Sequence, residues 1–279
     1  MNLRQIIKNA LSEDVGSGDI TTNSVVPKNL KVKAAIVACE EGVVCGLSVA
    51  KEVFKIFDKD VKFKIVAKDG QKVKEGKMLA RIEGKARTIL TCERVALNFL
   101  QRLSGIATLT NKFVQKAKPY GVKILDTRKT MPGLRFLEKY AVKVGGGTNH
   151  RFGLYDGILI KDNHIKIAGC AANAVRLAKK KYPHDRVEVE AQSLHEVKVA
   201  VGTRADIIML DNMKPKDIRK ALKMINGKYE VEISGGINLS NVLRAAKLKV
   251  DCISVGALTH SAEGLNISLD ILDDRILKK

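Results

Sequence analysis

The sequence predicts an α/β protein in two parts, a small N-terminal α/β domain followed by an incomplete, open α/β barrel of parallel strands. Three observations predict it. Beyond Tyr120, apolar strand-like runs alternate with amphipathic helical stretches, the pattern of repeated βα units with right-handed crossovers. Six such units can be read, short of the eight that close a full barrel. A long apolar helical segment divides these units from a mixed first third, which sets the domains at 1–108 and 109–279, with the extreme C-terminus left open to pack on the first domain. An open doubly wound sheet is the alternative arrangement of the same units.

Along the chain, Leu3, Ile6, Ile7, Ala10 and Leu11 recur at helical spacing and predict a short opening helix. Glu13–Asp19 then reads as a turn-rich loop leading to Thr21-Thr22. Lys31–Cys39 and Val61–Ala67 alternate as strands, and Asp69-Gly70 and Glu75-Gly76 are turn signals. The run DGQKVKEGKMLARIEG looks like the hairpin of biotinyl or lipoyl carrier domains, but it lacks the defined tip that a modified lysine needs, and it reads as structural β. From Thr91 to Ala117 the residues Val95, Leu97, Phe99, Leu100, Leu103, Ile106 and Leu109 make one long helix or helix pair, interrupted near Ser104-Gly105. The six strands that follow are Val122–Asp126, Gly157–Lys161, Arg186–Glu190, Asp206–Asp211, Glu230–Ser234 and Asp251–Gly256. Ala174–Lys181, Leu194–Val201, Lys216–Ile225 and Leu239–Ala246 are amphipathic helices between them.

Composition narrows the function. With 279 residues and 45% hydrophobic content the chain can bury a full core. The formal charge of +20 makes acidic partners plausible. The lysines are scattered in pairs, however, and aromatics are only 4% with no tryptophan, so stacking platforms for bases are scarce. A solvated basic surface with a few arginines kept for a site is favoured over a nucleic-acid binder. The five cysteines have no CxxC spacing and the histidines no metal-binding spacing, which argues against disulfides and a zinc site. His184, His195 and His260 read as surface or packing residues. No run is apolar enough to span a membrane and no leader is evident at Met1–Ala10, so a cytoplasmic protein is expected.

Chemistry concentrates between Asp126 and Ile165, where Arg128, Lys129, His150, Arg151, Lys161 and His164 surround a Gly145-Gly146-Gly147 turn. Cations at strand ends beside a glycine loop suit a highly anionic small substrate. The bland reading, a basic surface loop, fits less well because these cations follow apolar runs. Each predicted strand also ends in a residue able to do chemistry: Asp126, Lys161, Glu190, Asp211, Ser234-Gly235-Gly236 and Gly256. In α/β barrels such ends converge on the active site. Glycines in Ser234-Gly235-Gly236 and Ser254-Val255-Gly256-Ala257 would let backbone N–H groups approach a phosphate, in preference to serving only tight turns. Glu190 and Asp211 could pair with lysines, act as acid and base, or hold a hard cation; with a phosphate or pyrophosphate bound, Mg²⁺ bridging through water is the most economical role.

The motifs TRKTMPGLR, GGGTNHRFGLYDGILIKDNH, VEVEA, IIMLDN, ISGGI and ISVGALTHS, with EDVGSGDITT and ERVALNFLQRLSGIAT earlier, resemble the quinolinate phosphoribosyltransferase family over nearly the whole chain. The resemblance implies an N-terminal α/β sandwich joined to an incomplete barrel. It implies conversion of quinolinate and phosphoribosyl pyrophosphate, with Mg²⁺, into nicotinate mononucleotide, CO2 and pyrophosphate on the route to NAD. Carried over by motif, quinolinate would meet Arg94, Arg128, His150 and Arg151, with Lys129 and Lys161 shared with the second substrate. Glu190 and Asp211 would face the ribose and Mg-pyrophosphate, and Ser234, Gly235, Gly236 and Gly256 the 5′-phosphate. Arg94 would reach the barrel of the other subunit of a homodimer; on its own it reads as a helix surface residue. Further assembly of dimers stays open, and a related phosphoribosyltransferase for another aromatic acid is the nearest alternative.

Overall fold

The computed structural model describes residues 2–272. The first helix, α1 (Leu3–Val15), is capped by the Asn2 side chain, which accepts the Gln5 N–H at 2.9 Å, and buries Ile6, Ile7 and Leu11. The loop expected over Glu13–Asp19 begins only at Gly16, because α1 runs on through Glu13, Asp14 and Val15, and a second helix, α2 (Ile20–Val25), to which the sequence reading assigns no element, follows it. The glycines that signal a loop occupy positions 16 and 18 alone, and Asp19 then caps a new helix by accepting the Thr22 N–H at 2.9 Å. Next come β1 (Lys31–Ala38), β2 (Gly42–Val43), α3 (Leu47–Phe57), β3 (Lys62–Ile65), β4 (Lys72–Val73) and β5 (Met78–Lys85). The carrier-like run is thus strand β4, a turn and strand β5.

Helix α4 (Ala86–Ala117) is continuous over 32 residues, without the expected interruption at Ser104-Gly105. Both residues serve packing. Ser104 is buried and its hydroxyl accepts the Cys45 N–H at 2.9 Å. Gly105 lies so near the Glu263 carbonyl that any Cβ would overlap it. Glycine here admits a neighbouring backbone rather than breaking the helix.

The rest of the chain runs β6 (Lys123–Leu125), α5 (Arg135–Val144), β7 (Ile158–Ile160), α6 (Asp162–Ala168), α7 (Ala171–Lys181), β8 (Val187–Ala191), α8 (Leu194–Val201), β9 (Ile207–Asp211), α9 (Pro215–Ile225), β10 (Glu230–Ser234), α10 (Val242–Ala246), β11 (Cys252–Ser254), α11 (Ala257–His260) and β12 (Ile267–Leu272). Compact packing divides these elements into two units. One contains residues 2–111, 131–146 and 262–272, the other 112–130 and 147–261. A single boundary at 108 therefore does not describe the packing. Helix α5, amphipathic with Leu137, Ala141 and Val142 buried, belongs with the first unit, as does β12. The extreme C-terminal residues 273–279 lie outside the described residues.

In the first unit an antiparallel sheet runs in the order β12-β1-β5-β3. Its core includes Ile7, Ile36, Phe54, Ile82, Ile89 and Leu100, all fully buried. The second unit is a six-stranded parallel sheet in the order β6-β11-β10-β9-β8-β7. That order never reverses, and the first strand lies beside the last. A doubly wound sheet would reverse at a switch point, so this is a barrel left open between β6 and β7. On β6's open edge Thr148 forms one parallel bridge to Leu125.

Candidate functional site

Strand periodicity decides which side chains enter the barrel. Glu188 and Glu190 share a face of β8, Met209 and Asp211 a face of β9, and Glu232 and Ser234 a face of β10. The register sets Glu190 beside Met209, Met209 beside Glu232, and Asp211 beside Ser234. A cavity of about 700 Å³ lies at the carboxyl ends of these strands. Its walls include Arg128, Lys129, His150, Arg151, Lys161, Asp211, Asn212, Glu232, Ser234, Gly235, Gly236, Gly256, Ala257 and His260.

Lys129 stands in the loop after β6. Thr127 Oγ1 accepts its N–H at 3.1 Å, and the hydroxyl of buried Thr259 donates to its carbonyl at 2.6 Å. Lys161 follows β7, and its Nζ is 2.7 Å from Glu190 Oε2. Gln192 Nε2 donates to Glu190 Oε1 at 3.2 Å and to Asp211 Oδ2 at 3.4 Å, so one amide spans both carboxylates. Burial, and then the like charge of Arg128, hold the Arg151 guanidinium below its ordinary pKa. Two guanidinium groups held against their repulsion favour an anion between them.

His150 is half-buried. Burial would lower its pKa, but the Glu188 hydrogen bond and the charges of Glu232 and Glu188 outweigh it and the net direction is upward. Burial, then the charge of Glu188, push the Glu232 carboxyl up to about 7.

On the phosphate side, Gly235 has φ +95° and a Cβ there would overlap the Asn212 side chain, so only glycine fits. Gly236, at φ +60°, faces open space. Of the second glycine motif, Gly256 and Ala257 line the cavity. Val255 is buried and its N–H donates to the Leu125 carbonyl at 2.9 Å, so that donor is occupied by strand pairing.

The other expected residues are placed as follows. Glu190 is buried beneath Lys161 rather than in the cavity wall. Arg94 is an exposed residue of α4, in the first unit. Gly145 ends α5 against the Ala107 carbonyl and Gly146, at φ +92°, carries the chain out of the helix; the glycine triplet contributes nothing to the cavity lining. His164 Nδ1 accepts the Lys161 N–H at 2.9 Å, a capping role. His260, expected as a surface or packing residue, lines the cavity, with its Nε2 close to Gly256. Gln192, Glu188 and Glu232 are the other residues that sequence reasoning missed; Asn212, the last residue of IIMLDN, lines the cavity beside Asp211. The signal for Glu188 is present in VEVEA, where a period of two puts it on the face of Glu190.

Fold and site together define an α/β-barrel protein built to hold a highly anionic small molecule at its strand ends. The chain matches the model of the quinolinate phosphoribosyl transferase N-terminal domain over residues 19–104 and that of the C-terminal domain over residues 106–270. It is 48% identical over 278 residues to a probable nicotinate-nucleotide pyrophosphorylase (carboxylating) of Methanocaldococcus jannaschii, covering 96% of each chain. A Bacillus subtilis protein described in the same words is 42% identical, over 97% of this chain and 94% of that one. The crystal structure of a nicotinate-nucleotide pyrophosphorylase from Ehrlichia chaffeensis superposes with a TM-score of 0.94 at 42% identity, over 98% of this chain and 99% of that one. The chain belongs to the quinolinate phosphoribosyltransferase family.

Proposed function

We propose that the protein condenses quinolinate with phosphoribosyl pyrophosphate to give nicotinate mononucleotide, CO2 and pyrophosphate, the step that enters NAD biosynthesis. The observation that carries this reading is the pairing of Arg128 and Arg151 beside Lys129, Lys161 and the Gly235-Gly236 turn in one cavity. Two adjacent carboxylates on a pyridine call for forked guanidinium donors. A ribose 5′-phosphate calls for backbone N–H groups released by glycine.

Pyrophosphate leaves ribose C1 through an oxocarbenium-like transition state while the pyridine nitrogen attacks. Lys129 and Lys161 stabilise the leaving charge, and Asp211 in the cavity wall, or Glu190 from beneath Lys161, the ribosyl cation. Glu190 and Asp211 offer hard oxygen donors at the ends of neighbouring strands, spanned by one amide. This donor set suits Mg²⁺, held through water and the pyrophosphate. Bound there, the ion would neutralise phosphate charge. In the second step the bond from C2 to its carboxylate breaks. CO2 leaves, and the electron pair, stabilised by the quaternary nitrogen, takes up a proton.

Arg94 is assigned to the acid-binding site of the other subunit in a homodimer, where it adds a further cation for the second carboxylate. Among the described residues no helix is long and apolar enough to cross a membrane, which is consistent with a cytoplasmic location. Calorimetric titration tests the acid assignment. Quinolinate is expected to bind at least about tenfold more tightly than nicotinate, because a charged pair of donors is left unmatched by the monoacid. Equal affinity would remove the dicarboxylate from the site.

A further inference from the structure

Inside the barrel, below the strand-end residues, lies a pair of carboxylates that the proposed chemistry does not use. Glu188 on β8 and Glu232 on β10 are both buried, and among the described residues Oε1 of each has no hydrogen-bond partner. Their other oxygens converge on one ring. His150 Nε2 is 3.1 Å from Glu188 Oε2 and 3.6 Å from Glu232 Oε2. Across the ring, His150 Nδ1 accepts the Arg151 N–H at 2.7 Å. An accepting Nδ1 leaves the ring proton on Nε2, where it donates to Glu188.

These three ligand atoms lie within 4.8 Å of one another, close enough for a divalent cation to bridge. An Nε2 that carries the proton has no lone pair for a metal, so the geometry favours an oriented imidazole. Packing does not account for the carboxylates either. A buried carboxylate oxygen without a partner is destabilising, and an apolar side chain of similar size would fill the space better.

We propose that Glu188 and Glu232 are positioning residues of the acid-binding site: acting through His150, they lock the imidazole in its Nε2–H form, and its Nδ1 in turn fixes the Arg151 backbone that aims the guanidinium at the bound acid. The inference rests on the reading of the cavity as an aromatic-acid site. Stability given up inside the barrel is thereby converted into a fixed angle between His150, Arg151 and the substrate carboxylate.

The test combines ¹⁵N-histidine NMR of the ligand-free protein, thermal denaturation and steady-state kinetics on Glu188→Leu, Glu232→Leu and the conservative Glu188→Gln. With five histidines in the chain, His150 can be assigned by substitution. At a pH high enough to leave the ring neutral, His150 in the unaltered protein is expected to show one protonated nitrogen, Nε2; in Glu188→Leu the two ring forms interchange and average. The Leu variants should melt no lower than the parent, yet raise the KM for quinolinate by about tenfold or more, with the KM for phosphoribosyl pyrophosphate within about twofold. Glu188→Gln keeps an acceptor and should recover most of the quinolinate affinity. An unchanged ring form together with an unchanged quinolinate KM overturns the proposal. So does a parallel loss of both substrates with a lower melting temperature, which marks a structural role, or a stoichiometric metal retained through dialysis and lost in Glu188→Leu. Should the unaltered protein bind no quinolinate, the functional reading falls, while the nitrogen spectra and melting curves still decide whether the carboxylates orient His150.

Discussion

Lys129 illustrates how single side chains are prepared for charge. Its backbone is held at both ends, by Thr127 Oγ1 and by the Thr259 hydroxyl, so the ammonium is presented from a fixed base. Replacing it with alanine should lower kcat by about a hundredfold or more with the fold intact, as expected of a group that meets developing charge in the transition state. Near-normal turnover of Lys129→Ala in a steady-state assay would remove that role. Residues of this kind were legible in the sequence because each is a polar residue that ends an apolar run. Those that escaped notice do so for geometric reasons. His260 reaches the cavity because it lies one helical turn past Gly256 in α11. Gln192 gains its role only when β8 and β9 are side by side. Glu232 looks like an ordinary alternating polar residue until the barrel turns its face inward.

Helix α4 shows what an element can hide. Its sequence carries a break signal at Ser104-Gly105, yet the helix passes through it without interruption because both residues face neighbouring backbone. Alanine at Gly105 should gain about 1 kcal/mol of helix propensity. Its methyl group would collide with the Glu263 carbonyl, which costs about 1–3 kcal/mol, more where backbone must move. A net fall in melting temperature is therefore expected for Gly105→Ala, and a rise would mean that the segment bearing Glu263 is not held against the helix. The six strands were legible because β-branched runs buried on both faces read as near-continuous apolar segments. Helix α2 was not, because the nearby glycines outweigh a capping aspartate in any reading by local signals.

Whole-molecule properties follow from the sheet order and from symmetry. The unreversed order β6-β11-β10-β9-β8-β7 separates an open barrel from a doubly wound sheet, a choice that the repeated βα pattern alone left undecided. The discontinuous packing of α5 and β12 was illegible because nothing local marks which unit an amphipathic helix or a single strand will join. If Arg94 serves the partner's site, Arg94→Ala and Lys161→Ala proteins, each nearly inactive, should complement when mixed and allowed to exchange subunits. Half of the pairs then carry one intact site, so activity should return to about a quarter of the parent's. No recovery after verified exchange would place Arg94 outside the shared site. The most direct measurement is turnover of the purified protein with phosphoribosyl pyrophosphate, Mg²⁺ and either quinolinate or nicotinate, following nicotinate mononucleotide together with CO2. Product and equimolar CO2 from quinolinate, with little or no product from nicotinate, is the result this account predicts; product from nicotinate alone, or none from either acid, would contradict it.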